Sequence, residues 1–326
     1  MVIVAPGSRK PTTQIRRARR PAAASQHAFL RLAPCGKEYL VFEGFALEYI
    51  DVGEVTLRVR HGGQGRPVVL LHGHPRTHTT WHRLAPQLAD SFFVVCPDLR
   101  GYGQSTLPPD APQHAQSSKR AMADDVVSLL RYLGHDQFAV VGHDRGALAA
   151  FRVAMDHPSA VTRLVVMDGL PLVEHLERLN EQFVRTWWHW WFLGQTEKPA
   201  ERVINADPDA WYWTPAPDEM GEANHADLWA ALRDPAVVHG MCEDYRAGLR
   251  IDRAHEEADR AAGRRIACPT LLLAATKDDI DIHGDPEAIW RPWVAGELSS
   301  TPIHSGHHQA EEAPDELVQA LVTFLG

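Results

Sequence analysis

Residues 140–151, VVGHDRGALAAF, set Gly142, Asp144 and Gly146 at the spacing G-x-D-x-G between a short apolar run and a stretch of helix formers. That is the spacing of a strand-to-helix elbow: small residues let the chain turn sharply, and the helix N-terminus aims its N–H groups at the site. Hydrolases of this kind usually carry serine in the middle. Here the elbow presents a carboxylate, with Arg145 beside it and Leu148 four positions on. A carboxylate can attack an sp³ carbon in one displacement and become a covalent ester. The competing reading is a carboxylate that merely caps the helix.

The sequence around the elbow fits an α/β fold. FALEYIDVG (45–53) and VTLRVRHGG (55–63) alternate like a hairpin. PVVLLHGHP (67–75), FFVVCPDLRG (92–101), FAVVGHD (138–144) and VTRLVVMDG (161–169) are apolar strands. WHRLAPQLA (81–89) has helical spacing despite Pro86, and SKRAMADDVVSLLRYLG (118–134) puts Met122, Val126, Leu129, Leu130 and Leu133 on one face. Apolar strands alternating with helices predict a mostly parallel eight-stranded sheet covered on both faces. The alternation stops over residues 171–248, which are helical in character and rich in tryptophan, and resumes at CPTLLLAATKDD (268–279). The predicted organisation is therefore a core of residues 42–170 and 249–326, interrupted by a helical cap at 171–248.

Composition narrows the function class. A hydrophobic content of 44% with 23% charged residues is ordinary for a soluble enzyme, and no apolar run reaches the length of a membrane span. Eight of the 33 Lys and Arg, and none of the 42 Asp and Glu, lie in residues 1–37. The body is therefore acidic, which argues against a nucleic-acid partner. Residues 1–41 lack the apolar core of a secretory signal and read as a basic, disordered extension. Cys35, Cys96, Cys242 and Cys268 match neither zinc spacing nor a small disulfide framework, so a cytoplasmic protein with reduced thiols is expected. The residues call for no metal and no cofactor.

Ligands of open α/β sheets bind beyond the carboxyl ends of the strands. A displacement by Asp144 needs a base to direct water at the ester, and His307 in HSGHH (304–308) stands late in the chain, where the order nucleophile, acid, histidine places it. An acid should orient that histidine, and Asp168 and Asp278 both follow apolar strands. Backbone N–H groups of His74 and Arg145 are the natural oxyanion donors. Trp187, Trp190 and Trp191 have the spacing of a buried helix face, and most cap tryptophans are expected in the cap core.

With these motifs in place, residues 43–325 resemble the haloacetate dehalogenase family of α/β-hydrolases, which includes the fluoroacetate dehalogenases. HGHP (72–75), PDLRGYGQS (97–105) and VGHDRG (141–146) carry the resemblance, with Asp168, WHW (188–190), ADPDAWY (206–212), HG-x-C-x-DYRAG (239–248) and His307. The WHW and DYRAG segments are its most specific parts. The resemblance implies Asp144 as nucleophile, His307 as base and Asp168 as its partner. It further implies Arg145 on a substrate carboxylate, His189, Trp190 and Tyr245 on the leaving halide, and a homodimer acting on a small molecule.

The chain departs from the family at three points. Leu148 stands where the family has a second arginine, a loss of roughly 1.5–3 kcal/mol if one charge-assisted contact goes. His74 replaces a usual aromatic residue, and Asp278 occupies a position where other hydrolases keep their acid. An epoxide hydrolase using the same Asp144 and His307 with Tyr212 and Tyr245, or a ligand-binding homologue without catalysis, are the alternatives.

Overall fold

The structure, a computed structural model, describes residues 42–326; the expected basic extension lies outside them. Eight strands form one sheet: β1 (Ala46–Asp51), β2 (Thr56–Gly63), β3 (Arg66–Leu71), β4 (Phe92–Pro97), β5 (Phe138–His143), β6 (Val161–Met167), β7 (Thr270–Ala275) and β8 (Leu298–Ile303). Their order is β1-β2-β4-β3-β5-β6-β7-β8. The first two pairings are antiparallel and the remaining five are parallel.

Side chains alternate across a strand, so a strand covered on both faces must be apolar at every position. Val69, Leu71, Val140 and Val166 pack into one apolar cluster. Their neighbours Val68, Leu70, Val141 and Val165 pack into the other. The helix Lys119–Tyr132 covers the first of these faces, capped by Ser118, whose Oγ accepts the N–H of Ala121 at 3.2 Å.

One local expectation changes. The 81–89 helix is only a 3₁₀ turn, His78–Trp81, and one α-turn, Ala85–Leu88. Pro86 lacks an N–H and is confined to the first turn, so it divides the segment. Most cap tryptophans join the cap core as expected: Trp187, Trp191, Trp211 and Trp229 pack against the same apolar cluster as Trp190. Trp190 is buried, whereas Trp188 and Trp213 are exposed. Six of the cap helices have only four to six residues, too short to keep a continuous inward stripe.

Between β6 and β7 the chain builds the cap over the carboxyl ends of the strands and returns through a π-helical turn, Gly248–Asp252. The helix Arg253–Ala261 that follows rejoins the core, where Asp259 pairs with Arg152 of the helix after β5. Polar bonds fasten cap to core: Arg58 to Asp227 at 2.7 Å, His114 to Glu243 at 2.7 Å, and His239 to Asp110 at 3.0 Å. Among the described residues no helix is long and apolar enough to cross a membrane.

Candidate active site

β5 ends at His143 and the helix Arg145–Asp156 begins two residues later, leaving Asp144 at the turn with φ 51° and ψ −116°. Positive φ is uncommon for a residue with a side chain, and such strain marks functional turns. The turn tolerates only glycine on either side. A Cβ at Gly146 would sit 2.3 Å from the Leu71 carbonyl oxygen, and one at Gly142 would sit 2.2 Å from that of Gly146. In the HGHP turn after β3, the His74 N–H donates to Asp144 Oδ1 at 2.7 Å. Burial opposes the Asp144 charge, but His307, His143, Arg145 and the Arg145 N–H outweigh it and hold the carboxyl below its usual pKa. The carboxylate stands ionised at the head of a helix.

His307, in the loop after β8, brings its Nδ1 to Asp278 Oδ2 at 2.8 Å. This corrects the assignment of Asp168 as its partner. Asp168 is engaged elsewhere: Oδ1 accepts the Ala275 N–H at 2.8 Å and Oδ2 accepts the Gln309 side-chain amide at 2.7 Å. Burial raises Asp168 to about 6. The His307 imidazole loses from burial, yet its bond to Asp278 and the charges of Asp278, Asp144 and Asp168 lift it to about 9. Asp168, Asp278 and His307 have ligand-type atoms all within 4.8 Å of one another, as metal sites do. Both Asp168 oxygens, Asp278 Oδ2 and His307 Nδ1 are engaged in hydrogen bonds. Asp278→Asn is expected to reduce turnover by about 10³–10⁴-fold, because the amide leaves His307 in the wrong tautomer. Asp168→Asn should cost about tenfold or less in the same steady-state assay; the reverse ranking would return the role to Asp168.

Arg145 departs from the expectation of a free clamp. Its Nε and Nη2 donate to the Asp244 carboxylate at 3.1 and 2.7 Å, and Nη2 also donates to the Asp244 carbonyl at 2.9 Å. Lys119 Nζ donates to the same carboxylate, as does the Tyr102 hydroxyl at 2.7 Å. The guanidinium lies 4.3 Å from the Tyr245 ring centre, in cation–π contact. A fork that already grips one carboxylate cannot grip a second through the same edge. Nη1 alone has no hydrogen-bond partner among the described residues, and Arg145 is one of the residues lining a cavity.

That cavity, of about 310 Å³, collects Asp144, Arg145, His307, Asp278 and Asp168 from the core with His189, Trp190 and Tyr245 from the cap. The His189 and Trp190 rings stand 5.9 and 6.1 Å from that of Tyr245, a compact group of N–H and O–H donors. Burial lowers His189 to about 4, so the neutral ring offers one N–H and no charge. The arrangement can direct a carboxylate at a bound carbon, receive an anion on the cap side and activate water from His307. His74 and Leu148 also line it, and burial lowers the His74 imidazole to about 3.

Sequence reasoning missed the Asp244–Lys119 pair beneath Arg145, although Asp244 lies within DYRAG. Asp244 carries no mark of its own beside Tyr245, and nothing near Lys119 in the sequence points to it. His143 was missed too. Its ring is 4.6 Å from that of His307, and burial, reinforced by the His307 charge, lowers it to about 4.

Comparison with known proteins agrees with this architecture. A family model described as the alpha/beta hydrolase fold matches residues 66–314. A fluoroacetate dehalogenase of Burkholderia sp is 39% identical over 297 residues, covering 87% of this chain and 95% of that protein. A soluble epoxide hydrolase of Corynebacterium sp. (strain C12) is 28% identical over 293 residues, covering 87% and 95%. The crystal structure of an α/β hydrolase from Nostoc sp PCC 7120 superposes with a TM-score of 0.82 at 39% identity, covering 87% of this chain and 99% of that one. The chain is an enzyme of the α/β-hydrolase superfamily and belongs to its haloacetate (fluoroacetate) dehalogenase family.

Proposed function

We propose that the enzyme hydrolyses the carbon–halogen bond of a small halogenated acid or a related compound, with Asp144 as nucleophile. The observation that carries this reading is the cavity itself, where an ionised carboxylate at a strained elbow faces three uncharged hydrogen-bond donors of the cap. In the first step an Asp144 carboxylate oxygen bonds to the carbon, and the halide leaves with the bonding electrons. His189, Trp190 and Tyr245 receive the compact anion with N–H and O–H donors in a site shielded from water.

In the second step water adds to the Asp144 carboxyl carbon and gives a proton to His307. The N–H groups of His74 and Arg145 hold the oxyanion. Collapse breaks the acyl C–O bond, the alcohol leaves with a proton from His307, and Asp144 keeps one oxygen from water. The net products are alcohol, halide and a proton. A single turnover in ¹⁸O-water should therefore place label in the Asp144 carboxylate, read by mass spectrometry of the peptide spanning the elbow. Unlabelled Asp144 after measured halide release would exclude the ester.

One observation favours a second reading. Tyr212 and Tyr245 both line the cavity, and opening an epoxide needs a proton for the nascent alkoxide, which such hydroxyls can give. Diol formation without halide release from a panel of epoxides and haloacids would select it. The imidazole and indole N–H groups of His189 and Trp190, suited to an anion that needs no proton, support halide as the leaving group.

A further inference from the structure

We infer that this site takes 2-halo acids carrying an uncharged apolar arm, about the size of a phenyl ring, on the carbon that bears the halogen. The inference rests on the displacement reading above and names its substrate class. A haloacetate has five non-hydrogen atoms, and at roughly 10–15 Å³ of cavity space per water-sized atom it takes up at most about 75 Å³. The cavity of about 310 Å³ leaves most of its space to be filled by something else.

The surplus has a defined lining. From the donor group two aromatic arms run outward. Trp190 stacks on Trp187 at 6.0 Å and 13°. On the other side Tyr245 meets His74 at 5.2 Å, His74 meets Tyr212 at 6.2 Å, and Tyr212 meets Trp211 at 6.3 Å. All of these rings line the one cavity, together with Leu148. Leu148 is one helical turn beyond Arg145, so the wall beside the guanidinium is apolar.

Charge points the same way. Asp244 already occupies the Arg145 fork, leaving Nη1 for one oxygen of the substrate carboxylate. Binding energy that a second arginine would supply must then come from elsewhere on the substrate. His74, His189 and the buried His175 are all held neutral by burial, and the cationic His307 sits with Asp278 at the elbow, so the two aromatic arms add no cation for a second anionic group. Such a wall rewards an aryl or branched alkyl group, because contact with an apolar surface is favourable wherever water is expelled. The chemistry is unchanged. Asp144 displaces halide from the substituted carbon with inversion, and ester hydrolysis releases a 2-hydroxy acid, halide and a proton.

The test compares kcat/KM for chloride release from chloroacetate and from racemic 2-chloro-2-phenylacetate. The phenyl acid should be favoured at least tenfold. Only one enantiomer should be consumed, giving 2-hydroxy-2-phenylacetate of inverted configuration. Leu148→Arg should lower this preference at least tenfold. Trp211→Ala, farther from the elbow, should lower it about fivefold through KM and covers the case in which the arginine variant fails to fold. Chloroacetate turned over as well as or better than the phenyl acid overturns the subsite and leaves the displacement reading standing. Release of chloride from neither acid, with no ¹⁸O entering Asp144, overturns both.

Discussion

Asp144→Asn is expected to reduce halide release by at least about 10⁴-fold without unfolding the protein. Removing one member of a group that acts as a unit costs on that order. The amide is nearly the same shape, and asparagine tolerates the positive φ of the elbow better than most residues. It can still accept the His74 N–H that reaches Asp144 Oδ1 at 2.7 Å. What it lacks is the charged oxygen that the proposed displacement aims at carbon. The checks are steady-state halide release beside a thermal melt. Residual activity above about one-tenth of wild type, with an unchanged melt, would place the nucleophile elsewhere.

His307→Gln is expected to separate the two chemical steps. Displacement needs only the Asp144 carboxylate, so the variant should release one halide per site in a burst and then stop. Mass spectrometry should find the peptide containing Asp144 heavier by the substrate residue. The pH dependence of the wild type has the same origin. His307 is held up to about 9 by Asp278 and by the charge of Asp144. It is therefore protonated at neutral pH in the free enzyme, whereas a base must be neutral. Ester formation removes the Asp144 charge and with it part of what holds the proton, so the pKa of His307 falls in the intermediate. Where hydrolysis limits turnover, kcat should rise with pH and level off below about 9. A kcat that falls over pH 6–8 would remove His307 as the base.

The elbow was legible because its requirements are local. Strand, glycine, carboxylate, glycine and helix follow within a few residues, and a strand covered on both faces leaves an apolar run. The cap was legible as the place where that alternation stops. His307 could be found from its position after the last strand, and Tyr245 from the motif that carries it. WHRLAPQLA reads as one helix because its apolar spacing runs through Pro86, which the structure places in the first turn of a separate short helix, Ala85–Leu88.

The choice between Asp168 and Asp278 depends on two loops more than a hundred residues apart in the chain. Both aspartates follow apolar strands, and neither carries a local mark of its partner. The outcome turns on Gln309 and the Ala275 N–H engaging Asp168, which leaves the His307 Nδ1 to Asp278. The same holds for Arg145. Its position beside the nucleophile was plain, but its grip on Asp244, 99 residues away, was not.

By itself, then, the sequence determined the α/β-hydrolase sheet, the inserted cap and an aspartate at the elbow, because periodicity and turn chemistry act between near neighbours. Only the tertiary structure decided which acid holds His307, how much of Arg145 is left for a ligand and how much room stands before Asp144. Those depend on which charged and aromatic groups meet after the chain has folded, and a buried charge takes whichever partner the packing brings within hydrogen-bonding distance.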